Sequence, residues 1–289
     1  MAFVVGCGEG DRASGEGAVR IRVSGEDAAK RGYPFVKNGA EIAFVDGWTM
    51  RFRKYLVAFG NVRLRGEDGR VAFEAPETFV ADLRRGDPAL PAFTGIAARR
   101  WERFGFEIAP PIERATPLGE LDEGDVAEMV GSRINYLIDG EAEKNGRRVT
   151  FRWGLRNPTR NSNCTDGIDG KDGIVVRASA TTDTEITVHV DHLFWSSLGS
   201  ERAELRFDAV AAVADVDGVI AWESLAKQTI ADLRDERGAP LLDARSGRRV
   251  FYDPGSVPLE APTLQAFMLA SAAAQGHVNG TGLCTVSAR

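Results

Sequence analysis

At 289 residues, 43% of them hydrophobic and 27% charged, the chain holds enough apolar material for one large domain or two small ones, each with a full core. A net charge of −6 argues against a nucleic-acid partner, which would need a basic face. No apolar run approaches the roughly 20 residues of a membrane-spanning helix, and 32 glycines against 12 prolines point to the many turns of a short-stranded β protein.

The chain begins Met1-Ala2-Phe3-Val4-Val5-Gly6-Cys7. Val4-Val5-Gly6-Cys7 resembles the lipobox that ends a bacterial lipoprotein signal, in which an apolar run and a small residue precede the cysteine that takes the lipid. The basic and most of the apolar part of such a signal are missing, so residues 1–17 read as a signal remnant and a flexible tether. The resemblance implies lipidation at Cys7, a membrane contact through that anchor, and a periplasmic or outer-membrane location. Without it, the same residues read as a short buried strand with a free thiol.

Ala18-Val19-Arg20-Ile21-Arg22-Val23 alternates cleanly and predicts the first strand, followed by a helical turn over Gly25 to Lys30. After the Asp46-Gly47 turn, Trp48 to Leu64 continues in aromatic and aliphatic residues, and Val71 to Phe73 and Thr78 to Leu83 predict further strands. Arg99 to Ile108 alternates until Pro110-Pro111 stops it, and Asp122 to Val130 predicts a short helix. Asn145-Gly146 between two alternating runs predicts a tight hairpin. Ile174 to Val176 and Glu185 to Val190 complete about ten short strands, which predicts an antiparallel β-sandwich over residues 18–192. Trp48, Trp101 and Trp153 read as core or sheet-face packing, with a sugar-binding platform as the alternative.

Beyond Trp195 the period lengthens, and Ala203 to Ala214, Ala221 to Leu233 and Thr263 to Gln275 suit helices, the last with Thr263 as N-cap. Residues 193–289 are therefore expected to form a helical appendage packed on the sandwich. Within it, Asp215-Val216-Asp217-Gly218-Val219-Ile220 resembles the second half of an EF-hand loop, which implies a calcium role for Asp215, Asp217 and Glu223. Val213 at the first ligand position and Ser224 in place of the bidentate acid depart from that family, so the expectation is a degenerate helix-turn-helix with weak calcium affinity.

Two of the three histidines fall in Val188-His189-Val190-Asp191-His192-Leu193-Phe194-Trp195. On a strand His189 and Asp191 share one face, and a turn at Asp191 would swing His192 beside His189. Imidazoles with one carboxylate are a usual zinc or copper set, and His277 in the last loop offers a third ring. In the oxidising compartment that the lipobox implies, Cys164 and Cys284 pair by default, which would draw the His277 loop towards the β domain.

The Asp46-Gly47-Trp48 start, the His189-to-Trp195 stretch and the Gly276-His277…Cys284 tail together resemble a group of bacterial secreted lipoproteins of uncharacterised activity. Trp48 to Leu64 also resembles small extracytoplasmic β-sandwiches such as the copper-binding partner proteins of the methanobactin system, although no ligand motif is matched. The expectation is a lipid-anchored extracytoplasmic protein binding zinc or copper through His189, His192 and His277, with Asp191 beside them. A metal-free envelope protein that docks another envelope component is the alternative. A metal-dependent hydrolase comes third, because no general base is marked near the histidines, and that favours binding over catalysis.

Overall fold

The computed structural model describes residues 15–199 and 203–289. Cys7 and the start of the tether lie outside the described residues. The chain is mostly β, at 43% strand and 14% helix, so the helices serve as covers and connectors rather than as a layer of their own. No helix among the described residues is long and apolar enough to cross a membrane.

The larger sheet is built on the Thr49–Arg65 strand, which pairs antiparallel with Val71–Asp82, Tyr136–Lys144 and Arg103–Ile108. Its middle, Tyr55 to Phe59, is buried on both faces. Tyr55, Val57 and Phe59 enter the main core, while Leu56 and Ala58 turn outwards to Val80, Leu137 and Met129 of a second, small cluster. The Asp125–Ser132 helix supplies Met129, so a short helix covers an otherwise wet patch of sheet. The Asn145-Gly146 hairpin forms as expected between Tyr136–Lys144 and Arg147–Leu155, with φ of 52° and 78° at the two turn residues.

The smaller sheet runs in the order Gly276–Val278, Thr181–Val188, Glu16–Ser24, Phe93–Ala97. Its central pair is parallel, with Ile21 opposite Thr184 and Val23 opposite Ile186. Both main sheets are mixed rather than purely antiparallel, and one curls into a half-barrel. Alternation along a strand reports which face is buried but not the direction of its partner, so the parallel pairings were beyond its reach.

The stretch after residue 192 differs most from expectation. Of its three predicted helices, Leu264–Ala273 forms, with the Thr263 hydroxyl accepting from the Ala266 amide at 3.2 Å. The other two shrink to the single turn Asp208–Ala211 and the 3-10 segment Trp222–Lys227. Between them the Asp215 carboxylate accepts from the amides of Asp217 and Val219, closing a tight turn. Val219–Ile220 then pairs with Arg147–Leu155, and the Trp153 indole donates to the Ile220 carbonyl at 2.9 Å. Gly276–Val278 and Thr285–Ala288 also join the two main sheets, and Phe207, Leu264 and Phe267 lie in the same core as the strands. The C-terminal residues are thus woven into the β structure.

Candidate metal centre

The strand Thr181–Val188 ends where Val188 meets Gly276, and the chain then winds into the 3-10 helix Val190–Phe194. At three residues per turn, side chains three apart eclipse one another. His189, His192 and Trp195 therefore stand in one column, the imidazoles 5.1 Å apart and nearly parallel, the second imidazole 3.7 Å from the indole. Phe194 pins this turn to the core, with Phe44 at 5.6 Å and Phe207 at 5.9 Å between ring centroids.

His277 arrives from the edge strand Gly276–Val278, opposite Thr187. Its ring lies 4.5 Å from His189 and 5.3 Å from His192, close to perpendicular to both. A polar clasp holds that strand and its following loop. Cys164 and Cys284 are bonded, and Thr165 and Leu283 exchange hydrogen bonds of 2.8 and 2.9 Å. The Asn279 amide donates to Asp166, its side-chain carbonyl accepts from the Glu185 amide, and the Gly280 amide donates to the Thr187 hydroxyl. Gly167 allows the closest approach, since a Cβ there would lie 2.2 Å from the Asn279 carbonyl oxygen. The Asp-Gly-rich loop after Asn163 thus serves as the clasp's inner wall.

Backbone carbonyls orient the rings. His189 Nε2 lies 2.6 Å from the Gly280 carbonyl oxygen, so it carries a proton, and in the neutral ring Nδ1 keeps its lone pair. His277 Nε2 lies 3.2 Å from the Ala274 carbonyl, which also faces His192. Nδ1 of His192 and Nδ1 of His277 are buried without a hydrogen-bond partner. His189, Asp191 and His192 each present a ligand atom within 4.8 Å of the others, a group able to hold a metal ion.

The electrostatics divide the histidines. Burial and the neighbouring imidazoles push His192 down to about 3. Burial, then His189, push His277 down to about 4. Both rings are neutral at ordinary pH. His189 is raised instead, because Asp191, the Gly280 carbonyl and Glu26 together outweigh its desolvation. Desolvation of Asp191 is likewise overcome by its histidine neighbours, which hold it below the usual carboxylate range.

The structure brings the ligand atoms of His189, Asp191 and His192 into one group, and sets the His277 ring 4.5 and 5.3 Å from the two other imidazoles without adding its nitrogens to that group. It does not gather Asp215, Asp217 and Glu223: all three are exposed, and the Asp215 carboxylate is taken up by backbone amides. Sequence reasoning missed Trp195, which the His-x-x-His-x-x-Trp spacing signals once a 3-10 turn is allowed. It also missed Glu26, whose carboxylate stands 3.5 Å from His189 Nδ1 and which carried no local signal. Beneath the cluster the Tyr55 hydroxyl and the Gln275 side-chain amide hydrogen-bond at 2.9 Å, both fully buried. Comparison of the chain with family models, with curated proteins and with solved structures finds no match.

Proposed function

We propose that this is an extracytoplasmic, lipid-anchored protein that binds a transition metal, zinc or copper, through His189, His192 and His277 with Asp191 as a further ligand or orienting partner. One observation carries the reading. His189, Asp191 and His192 present ligand atoms within 4.8 Å of one another, the His277 ring packs against both histidines, and the Nδ1 atoms of His192 and His277 are buried without any hydrogen-bond partner. A buried polar atom left unpaired costs about 1–3 kcal/mol, and an ion taking the lone pair would remove that cost. A ring N–H donating to a main-chain carbonyl is the usual way in which a ligating histidine is aimed. The Cys164–Cys284 bond supports an oxidising compartment.

Titration of Zn²⁺ or Cu²⁺ into the wild type and into His189→Ala, His192→Ala and His277→Ala tests the site. Each replacement should weaken binding sharply, and equal weak binding by all four proteins would refute it. The anchor is tested separately. In cells expressing the protein with a complete signal, Cys7→Ser should abolish lipid labelling and membrane fractionation, and unchanged fractionation would remove the lipoprotein reading.

A further inference from the structure

A second constellation lies on the face of the larger sheet that turns away from the main core. Along Thr49–Arg65, Val62 and Leu64 enter that core, so Arg63 and Arg65 project from the opposite face. By the same alternation the core residues Phe106 and Ile108 put Glu107 on that face, and the buried Thr159 and Asn161 put Arg160 there. A bulge re-aims the central strand at this point. Asn61 has φ of 47°, and the pairing slips between Gly60 and Val62 on one side and between Gly60 and Arg63 on the other. Gly105 keeps the neighbouring strand close, since a Cβ there would lie 3.3 Å from Arg63 Nη2.

The result is one carboxylate beneath three guanidiniums. Glu107 is only 4% exposed. Its Oε1 accepts from Arg160 Nε at 3.0 Å, and its Oε2 accepts from the Asn61 side-chain amide at 2.7 Å and stands 2.8 Å from Arg289 Nε. Arg63 Nη1 stands 3.9 Å from the same carboxylate, too far for a hydrogen bond. Arg65 pairs with Glu74. Among the described residues, the Nη atoms of Arg160 and Arg289 and Nη2 of Arg63 make no hydrogen bond. All of these side chains line one surface cavity of about 480 Å³, four arginines against two glutamates. A chain of net charge −6 thus carries here a local excess of two positive side-chain charges.

An ion-pair network that serves only the fold balances its charges, because a charge drawn out of water without a partner is costly. This one leaves guanidinium donors unspent beside a cavity. Their planar forks match the paired oxygens of a phosphoryl group. We propose that the cavity binds a dianionic phosphoryl group, free or as the monoester end of a small molecule, with Arg63 and Arg160 as donors and Glu107 as the carboxylate that positions them. None of these residues belongs to the histidine group, so the phosphoryl site is independent of the metal reading.

Isothermal titration calorimetry with inorganic phosphate, glycerol 3-phosphate and acetate tests it. The buffer contains EDTA and little salt at about pH 7.5, where a monoester with a second pKa of about 6 is dianionic. The wild type should bind a phosphate probe, and acetate at least about tenfold more weakly. Arg160→Gln should weaken phosphate binding at least about tenfold. Arg63→Lys keeps the charge, loses the fork and should show a comparable loss. Arg20→Gln removes the same charge from the smaller sheet and should stay within about twofold of the wild type. Arg160 and Arg20 are each half-exposed, so neither replacement disturbs the core. Tighter binding of glycerol 3-phosphate assigns a monoester as ligand, and tighter binding of inorganic phosphate assigns the free ion. Absence of binding by both, acetate binding as tightly as phosphate, or wild-type affinity in Arg160→Gln and Arg63→Lys each overturns the proposal. Equal losses in Arg160→Gln and Arg20→Gln also overturn it, because they reveal a general field in place of a site.

Discussion

The metal-free protein should be acid-labile because of two buried imidazoles. His192 and His277 titrate at about 3 and about 4 in the folded chain. In the unfolded chain each returns to about 6.5. Unfolding therefore takes up protons below pH 6.5, and stability falls as the pH drops from there towards the folded values. At about 1.36 kcal/mol per unit, each histidine withdraws about 2 kcal/mol between pH 7 and pH 5, and the pair about 4 kcal/mol. His189 is raised and opposes this with a smaller contribution, present below pH 6.5 and lost as the pH rises through its folded value. Against a typical total of about 5–15 kcal/mol, the loss is large. Urea unfolding at pH 7 and pH 5 in the presence of EDTA measures it. His192→Phe retains an aromatic ring beside Trp195, and His277→Asn retains a polar side chain. Each should recover about half of the pH dependence, and the double variant nearly all of it. A double variant with the wild-type pH dependence would refute the assignment of neutral, buried imidazoles at these positions.

Three further outcomes are expected. Cys164→Ser with Cys284→Ser opens a loop spanning 120 residues, which should lower the unfolding free energy by up to about 4–5 kcal/mol in the chain-entropy picture and weaken metal binding by freeing the His277 strand; denaturant melts and Zn²⁺ titration measure the two effects. Phe194→Ala removes a fully buried ring from beneath the 3-10 turn and should cost about 3–5 kcal/mol by the same melts, with a loss of metal affinity because the His189–His192 column loses its footing. Thr263→Ala removes the N-cap bond of the Leu264–Ala273 helix and should cost about 1 kcal/mol while leaving the affinity for metal unchanged.

What was legible in the sequence depended on how local its cause was. The Asn145-Gly146 turn is a two-residue matter of positive φ, and it forms where expected. Thr263 caps its helix through a neighbour three residues on, which is equally local. The region 203–233 misled because its apolar residues are claimed by tertiary packing from several sides: Phe207, Ala209, Val210 and Ala211 are all buried, and no single helical stripe survives. The His-Asp-His cluster was visible as composition, and the cysteine pair suggested how His277 could return to it. The continuation of the strand through Val190 was not realised. A 3-10 turn took its place, and that turn stacks the two imidazoles. Glu26 lies in a helical turn that reads as ordinary surface, and only the parallel pairing of Glu16–Ser24 with Thr181–Val188 carries it to the site.

The strand bearing His277 is an outer strand of its sheet, hydrogen-bonded on one side to Thr181–Val188. Outermost strands fray first, and here the bridge from Cys164 to Cys284 restrains the fraying. In the metal reading, thiol chemistry and ion affinity are thermodynamically linked across the clasp. On that reading, reducing the bridge loosens one imidazole and lowers the affinity for the ion. By reciprocity, a bound ion makes the bridge harder to reduce by the same factor. The apo and loaded proteins should thus differ in the dithiothreitol concentration needed to open the bridge, a measurement that reads occupancy of the site without observing the metal.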